Sequence, residues 1–277
     1  MEVRTAEHLG MCFGVRDAIS MALDLSKKGP VTILGDLVHN PDVVTEMEAA
    51  GAVRVHDHEQ IRTRTVLLTA HGTAVRTKRE IGSKGYDVHD AACPLVTRVH
   101  LAIAKLVAEG RHPVVIGQPG HVEVRGLVGD LSEYTVLADE RYIDKLTGYS
   151  RLGVVAQTTQ PLEHVLEMVS AIRGRFPKSN IRFIDTVCQP TKDRQQALRR
   201  LAAECDAVVV VGGPDSNNSR KLTELAQQLG RPAYQVATAS ELKADWFQGV
   251  RVVGLTAGTS TPDSVISQVR ECLEKIV

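Results

Sequence analysis

Residues 93–117, CPLVTRVHLAIAKLVAEGRHPVVIG, run from a cysteine through a segment of helical period to the apolar run VVI and a glycine. The same order occurs at 12–35, CFGVRDAISMALDLSKKGPVTILG, and at 188–212, CQPTKDRQQALRRLAAECDAVVVVG. The offset is 23 residues from Cys12 to Gly35, and 24 from both Cys93 to Gly117 and Cys188 to Gly212. A recurrence of this length marks a duplicated supersecondary unit. Short Val/Ile/Leu runs alternating with helical segments are the pattern of parallel sheets covered by helices. The expected fold is therefore α/β, in three similar domains of mainly parallel sheet. The repeats divide the chain at 1–93, 94–187 and 188–277, with residues 1–13 able to pack with the third domain.

Each third carries two strand-to-loop transitions rich in Gly, His, Ser, Thr or Asn. They are ILGDLVHN (33–40), VLLTAHGT (66–73), VVIGQPGHVE (114–123), GVVAQTTQ (153–160), VVVVGGPDSNNS (208–219) and VVGLTAGTSTPD (252–263). Loops at the carboxyl ends of parallel strands are where such sheets bind ligands. A pseudo-threefold arrangement would aim six polar loops and three cysteines at one central cavity.

Composition narrows the function classes. The 277 residues carry 33 Lys+Arg against 33 Asp+Glu, so no net field favours nucleic acid or an acidic membrane. Aromatic residues make up only 4%, too few for base-stacking platforms. No run of 18 apolar residues occurs, and MEVRTAEHLG has no apolar signal core, so a cytoplasmic protein is expected. Five cysteines without an export signal imply reduced thiols. The charge run DRQQALRRLAAE (193–204) reads as an ordinary solvated helix face.

An isolated cysteine in an α/β core is usually a small buried hydrophobe, the reading given to Cys205 and, on the terminal amphipathic helix, Cys272. Cys12, Cys93 and Cys188 differ because all three open a helical run. There the helix dipole and free N–H groups favour a thiolate, the form that binds metal. Zinc remains a rival, although structural zinc sites usually have four ligands built from C-x₂₋₄-C pairs, and no such pair occurs. Soft thiolate ligation favours an iron–sulfur cluster. Three ligands on a four-iron cube leave one iron open as a Lewis acid.

His39, His71 and His121 stand at strand ends with Ser216, Asn217, Asn218, Ser219 and Ser260. Single loop histidines usually serve surface hydrogen bonding, but this set can bind a diphosphate through directed donors. Neither G-x-x-x-x-G-K-[ST] nor G-x-G-x-x-G follows a strand, so nucleotide readings are weak. Glu123 is either a surface carboxylate or a general acid with a raised pKa, and Thr158 could relay or orient its proton.

Nine blocks, GMCFGVRDAI, HNPDVV, TAHG, DAACPLVTRVH, GHVEVRG, AQTT, DTVCQPTKDRQ, DSNNSRKL and TAGTSTPD, occur in one order from Cys12 to Asp263. In that combination the chain closely resembles the 4-hydroxy-3-methylbut-2-enyl diphosphate reductase family, iron–sulfur enzymes closing the methylerythritol phosphate route to isoprenoids. The resemblance implies a cloverleaf of three α/β domains around a 4Fe–4S cluster, or a 3Fe–4S form that has lost the open iron. It assigns Cys12, Cys93 and Cys188 as ligands. It implies substrate binding by His39, His71, His121, Thr158, Ser216, Asn217, Asn218 and Ser260, and catalytic roles for Glu123, Thr158 and His121. The pattern departs from the family at Val122 (commonly Pro), Leu127 (commonly Thr), Asn217 (commonly Ser) and QPTKDRQ after Cys188 (more usually ATTNRQ).

The implied reaction is reductive dehydroxylation of the allylic diphosphate to isopentenyl and dimethylallyl diphosphate, with ferredoxin or flavodoxin as electron donor. The alternatives are a reductase or dehydratase of a related allylic phosphate or diphosphate, and a non-catalytic cluster-binding sensor or electron carrier. A zinc-stabilised structural protein is the third.

Overall fold

Val, Ile, Leu and Ala dominate every central strand, and each central pair carries its polar loops at one end. The computed structural model describes residues 1–38 and 40–276, apart from the side chains of Pro41 and Asp42. In chain order the elements begin with β1 (Glu2–Thr5), α1 (Phe13–Ser26), β2 (Val31–Leu34), α2 (Pro41–Ala49), β3 (Ala52–Val55), β4 (Thr65–Leu68), α3 (Val75–Ser83) and β5 (Asp87–Asp90). They continue with α4 (Pro94–Ala108), β6 (His112–Ile116), α5 (Val122–Val128), β7 (Thr135–Leu137), β8 (Arg151–Ala156), α6 (Leu162–Arg175) and β9 (Asn180–Phe183). The last third holds α7 (Gln189–Glu204), β10 (Ala207–Val211), α8 (Asn217–Gln228), β11 (Ala233–Val236), β12 (Val252–Ala257) and α9 (Asp263–Lys275).

Among the described residues the strands form three parallel four-stranded sheets, β3-β2-β4-β5, β7-β6-β8-β9 and β11-β10-β12-β1. In the first two sheets the chain winds from one central strand outward to one edge, and from the other central strand to the opposite edge. The third sheet has the same plan, except that the strand beside β12 is β1, from the start of the chain. The crevice between β2 and β4, β6 and β8, or β10 and β12 is thus a topological switch point. All six polar loops emerge there. The chain's first strand completes the third sheet, with Glu2 opposite Val252 and Thr5 opposite Leu255.

Burial explains the composition of these elements. All residues of β6 and β10 are buried, as parallel strands covered on both faces require. Helix α4 starts with Pro94 at its first position and buries Val96, Val99, Ala102, Ile103 and Leu106, an i, i+3, i+4 stripe. Cys205 is buried against Ala6, Ala197 and Leu201, and desolvation pushes its thiol up to about 11. Cys272 is half-buried at the edge of α9, whose core face is Val265, Val269 and Leu273. One reading needs correction: the 193–204 run is not wholly a solvated face. Arg194 is 6% exposed and hydrogen-bonded to backbone carbonyls, a contact that helical periodicity does not reveal.

The chain divides into two compact units, one built chiefly of Met1–Arg16 and Gln189–Val277, the other of Asp17–Val38 and Val43–Cys188. Among the described residues no helix is long and apolar enough to cross a membrane.

Candidate active site

The three cysteines share one backbone environment. The N–H of Cys93 donates to Ala70 O at 3.0 Å, that of Cys188 to Thr158 O at 3.0 Å, and that of Cys12 to Thr259 O at 3.1 Å. Each acceptor lies two residues beyond the end of a central strand: β4, β8 or β12. Every cysteine therefore hangs from a strand-end loop and immediately precedes the first residue of α1, α4 or α7. All three are half-buried, and none is in a disulfide. Among the described residues, no group of three or more His, Cys, Asp or Glu converges as a site for a single metal ion.

The second sheet carries a buried acid. His121 caps α5, and its Nδ1 accepts the Glu123 N–H at 3.1 Å. In the neutral ring this places the proton on Nε2, which becomes a donor. Glu123 is 2% exposed. Its Oε1 accepts the Thr158 N–H at 2.7 Å and its Oε2 the Thr158 hydroxyl at 2.8 Å. Burial pushes the carboxyl up from its ordinary 4.5 to about 7, against the opposing pull of the two Thr158 bonds. Such a group can hold or release a proton near neutral pH.

His71 joins this set: its ring lies edge-on to that of His121, with centroids 6.2 Å apart. The approach depends on a glycine. A Cβ on Gly126 of α5 would stand 2.6 Å from Gly72 O, so only hydrogen lets the helix meet the loop bearing His71. Asp130 clamps the same junction, its two oxygens accepting the N–H groups of Val75 and Arg76 at 2.7 and 2.8 Å. Gln157 is fully buried and accepts from Gln118 N at 3.0 Å and Gln160 Nε2 at 3.1 Å, tying the loop before His121 to that of Thr158. Sequence reading missed Gln157 and Asp130 as positioning residues. Adjacency to Thr158 was the one available signal for Gln157, and Asp130 had none.

The third sheet holds the donor-rich loop. Ser216, Asn217, Asn218, Ser219 and Ser260 are all buried. Ser216 Oγ caps α8 by accepting the Ser219 N–H at 3.3 Å, and the two serine hydroxyls meet at 2.9 Å. Thr261 Oγ1 donates to Val211 O at 2.9 Å, holding the loop of Ser260 against β10. The buried Asn218 Nδ2 makes no hydrogen bond among the described residues. A buried unpaired amide is costly, and an anion lodged there would supply its acceptor. Asn218→Ala is therefore expected to leave folding stability unchanged or raise it by about 1 kcal/mol. The same variant should bind inorganic diphosphate about tenfold more weakly, as read by denaturation and calorimetric titration. Gly212 underlies the loop: a Cβ there would sit 1.9 Å from Ser219 Oγ. Gly212→Ala should cost about 1–3 kcal/mol in chemical denaturation and raise KM.

The departures at Val122, Leu127 and Asn217 are accommodated locally. Val122 is the first residue of α5, where proline is also well suited. Leu127 is buried with Val99, Ile103 and Leu106. Asn217 Oδ1 accepts from Arg220 Nη2 at 2.8 Å. His39 lies outside the described residues.

Together these features define a triplicated parallel α/β protein with cysteines, a buried acid and an anion-suited donor loop at its strand ends. Residues 3–274 match the LytB protein family, and the chain belongs to it. It is 39% identical to 4-hydroxy-3-methylbut-2-enyl diphosphate reductase of Methylibium petroleiphilum, over 99% of this chain and 85% of that protein. The Aquifex aeolicus reductase is 35% identical over 100% of this chain and 97% of its own length. The solved E-1-hydroxy-2-methyl-but-2-enyl-4-diphosphate reductase of Plasmodium falciparum superposes with a TM-score of 0.94 at 27% identity. That superposition covers 99% of this chain and 88% of the other.

Proposed function

We propose that the chain reduces (E)-4-hydroxy-3-methylbut-2-enyl diphosphate to isopentenyl and dimethylallyl diphosphate. Family membership and the names of its relatives support the reaction class. The observation that carries the chemistry is Glu123, a buried carboxyl with a pKa near 7, bonded at both oxygens by Thr158, while His121 Nδ1 accepts the backbone N–H of the same residue.

An iron–sulfur cluster fits the donor set, because Cys12, Cys93 and Cys188 present soft ligands from matched strand-end positions. When bound, a 4Fe–4S cluster with one open iron supplies single electrons and polarises the substrate C–O bond, and a 3Fe–4S form lacks that iron. The net change consumes two electrons and two protons and releases water. Glu123 supplies the proton to the departing oxygen. Thr158, bonded to both its oxygens, orients the carboxyl and can pass the proton through its hydroxyl. His121 offers Nε2–H to the diphosphate. His39, His71, Ser216, Asn217, Asn218 and Ser260 complete the anion-binding set, with Asn218 Nδ2 as a ready donor. The chemistry requires that water be kept from the reduced substrate. We assign the electrons to an external carrier of the ferredoxin or flavodoxin class, and the reaction to the cytoplasm, where thiols stay reduced.

The test is an anaerobic assay of the reconstituted chain with the hydroxymethylbutenyl diphosphate and a chemical reductant, following both products. Reductant-dependent formation of the two diphosphates is expected. Turnover without reductant would make the protein a dehydratase, and failure to bind any diphosphate would make it a sensor or carrier.

A further inference from the structure

Arg194 is a buried guanidinium, 6% exposed, on the second turn of α7. Its Nη2 donates to Gly10 O at 2.5 Å and its Nη1 to Pro190 O at 2.9 Å. Gly10 stands two residues before Cys12, and Pro190 two residues after Cys188. On its other side the 10–12 segment is held by the sheet, where Gly10 N–H donates to Ala257 O at 3.4 Å and Cys12 N–H to Thr259 O at 3.1 Å. Burying a guanidinium is costly unless its donors are used, and helix formation alone asks for no charge at this position. A planar fork of donors can hold two carbonyls at a set separation, whereas the point charge of a lysine cannot.

We propose that Arg194 is a positioning residue for the cluster, setting the placement of the Cys12 and Cys188 side chains through the carbonyls beside them. This rests on the cluster reading above. Arg194 acts on the ligands as outer-shell partners do at other metal sites, by limiting where their sulfur atoms can go.

The test uses the full chain, reconstituted anaerobically, with Arg194→Met, Arg194→Lys and a control, Arg200→Met. Arg200 pairs with Glu7 at 2.6 Å on the exposed surface. Three properties are read: the rate at which a chelator strips iron, the electron paramagnetic resonance spectrum, and iodoacetamide labelling of each cysteine in iron-free protein. Arg194→Met should lose iron about 10–100-fold faster, with an altered spectrum. Arg194→Lys should fall between it and wild type, and the control should match wild type. In iron-free protein, labelling of Cys12 and Cys188 should change several-fold while Cys272 stays constant. Wild-type stripping and spectrum in both Arg194 variants would overturn the proposal. If thermal melting shows that Arg194→Met does not fold, Arg194→Lys decides. If wild-type chain takes up no cluster, the function proposed above fails. The labelling arm then decides Arg194 alone, unchanged rates at Cys12 and Cys188 counting against it.

Discussion

Glu123→Gln is expected to lower turnover by about 10²–10⁴-fold, the usual contribution of a positioned general acid, while cluster content and substrate affinity stay at wild-type levels. The reason is geometric. Glutamine keeps an oxygen for the Thr158 N–H and a polar group facing the Thr158 hydroxyl, so the shell survives without an acidic proton. Steady-state kinetics with calorimetric binding would separate the two effects, and full activity in the variant would remove Glu123 from the mechanism. The same substitution carries a pH signature in stability. The folded carboxyl titrates near 7 rather than at its ordinary 4.5. Its neutral form is the favoured buried state, so its contribution is intact below pH 4.5 and lost as pH rises through 7. The loss amounts to about 3 kcal/mol. Denaturation midpoints of Glu123→Gln should match wild type near pH 4.5 and exceed it above pH 7.

Cys93→Ser should lose most bound iron and sulfide, and activity with them, whereas Cys272→Ser should retain both. Cys93 is the residue capping α4, and its side chain makes no capping bond. Serine is itself a favoured cap, so the helix should form as well or better in the variant. What disappears is the soft thiolate, which a hydroxyl does not replace at neutral pH. Metal and sulfide analysis after anaerobic purification, with melting of the iron-free protein, distinguishes ligand loss from unfolding. Zinc in place of iron and sulfide in the wild-type chain would sink the cluster reading.

These two residues differ in how much the chain alone reveals. Cys93 is conspicuous because the cysteine–helix–strand–glycine order repeats at Cys12 and Cys188, and repetition is a local signal. Glu123 is not: two residues past a loop histidine, it could equally face water. Its full burial arises from residues up to 35 positions away, including both bonds from Thr158. The six polar loops were legible because each follows a short Val/Ile/Leu-rich run that alternates with helical segments, the pattern of a buried parallel strand. Their placement at switch points was not, since it depends on which edges β3, β5, β7, β9, β11 and β1 take.

Two more features show the same division. Helical period places Arg194 in α7 but says nothing of Gly10, 184 residues earlier, whose carbonyl it holds. Only the structure shows that Glu2–Thr5, within the segment expected to pack with the third domain, is a strand laid beside β12, some 250 positions on. By itself, then, the sequence determined the central strands, the helices that follow the three cysteines, their triplication, the candidate ligands and the family. Periodicity, turn residues and repeated motifs are written between near neighbours. The tertiary structure decided the rest: the neighbour of each edge strand, the raised pKa of Glu123, the unpaired amide of Asn218 and the carbonyls claimed by Arg194. Those depend on burial and contact between distant parts of the chain, which no local pattern encodes.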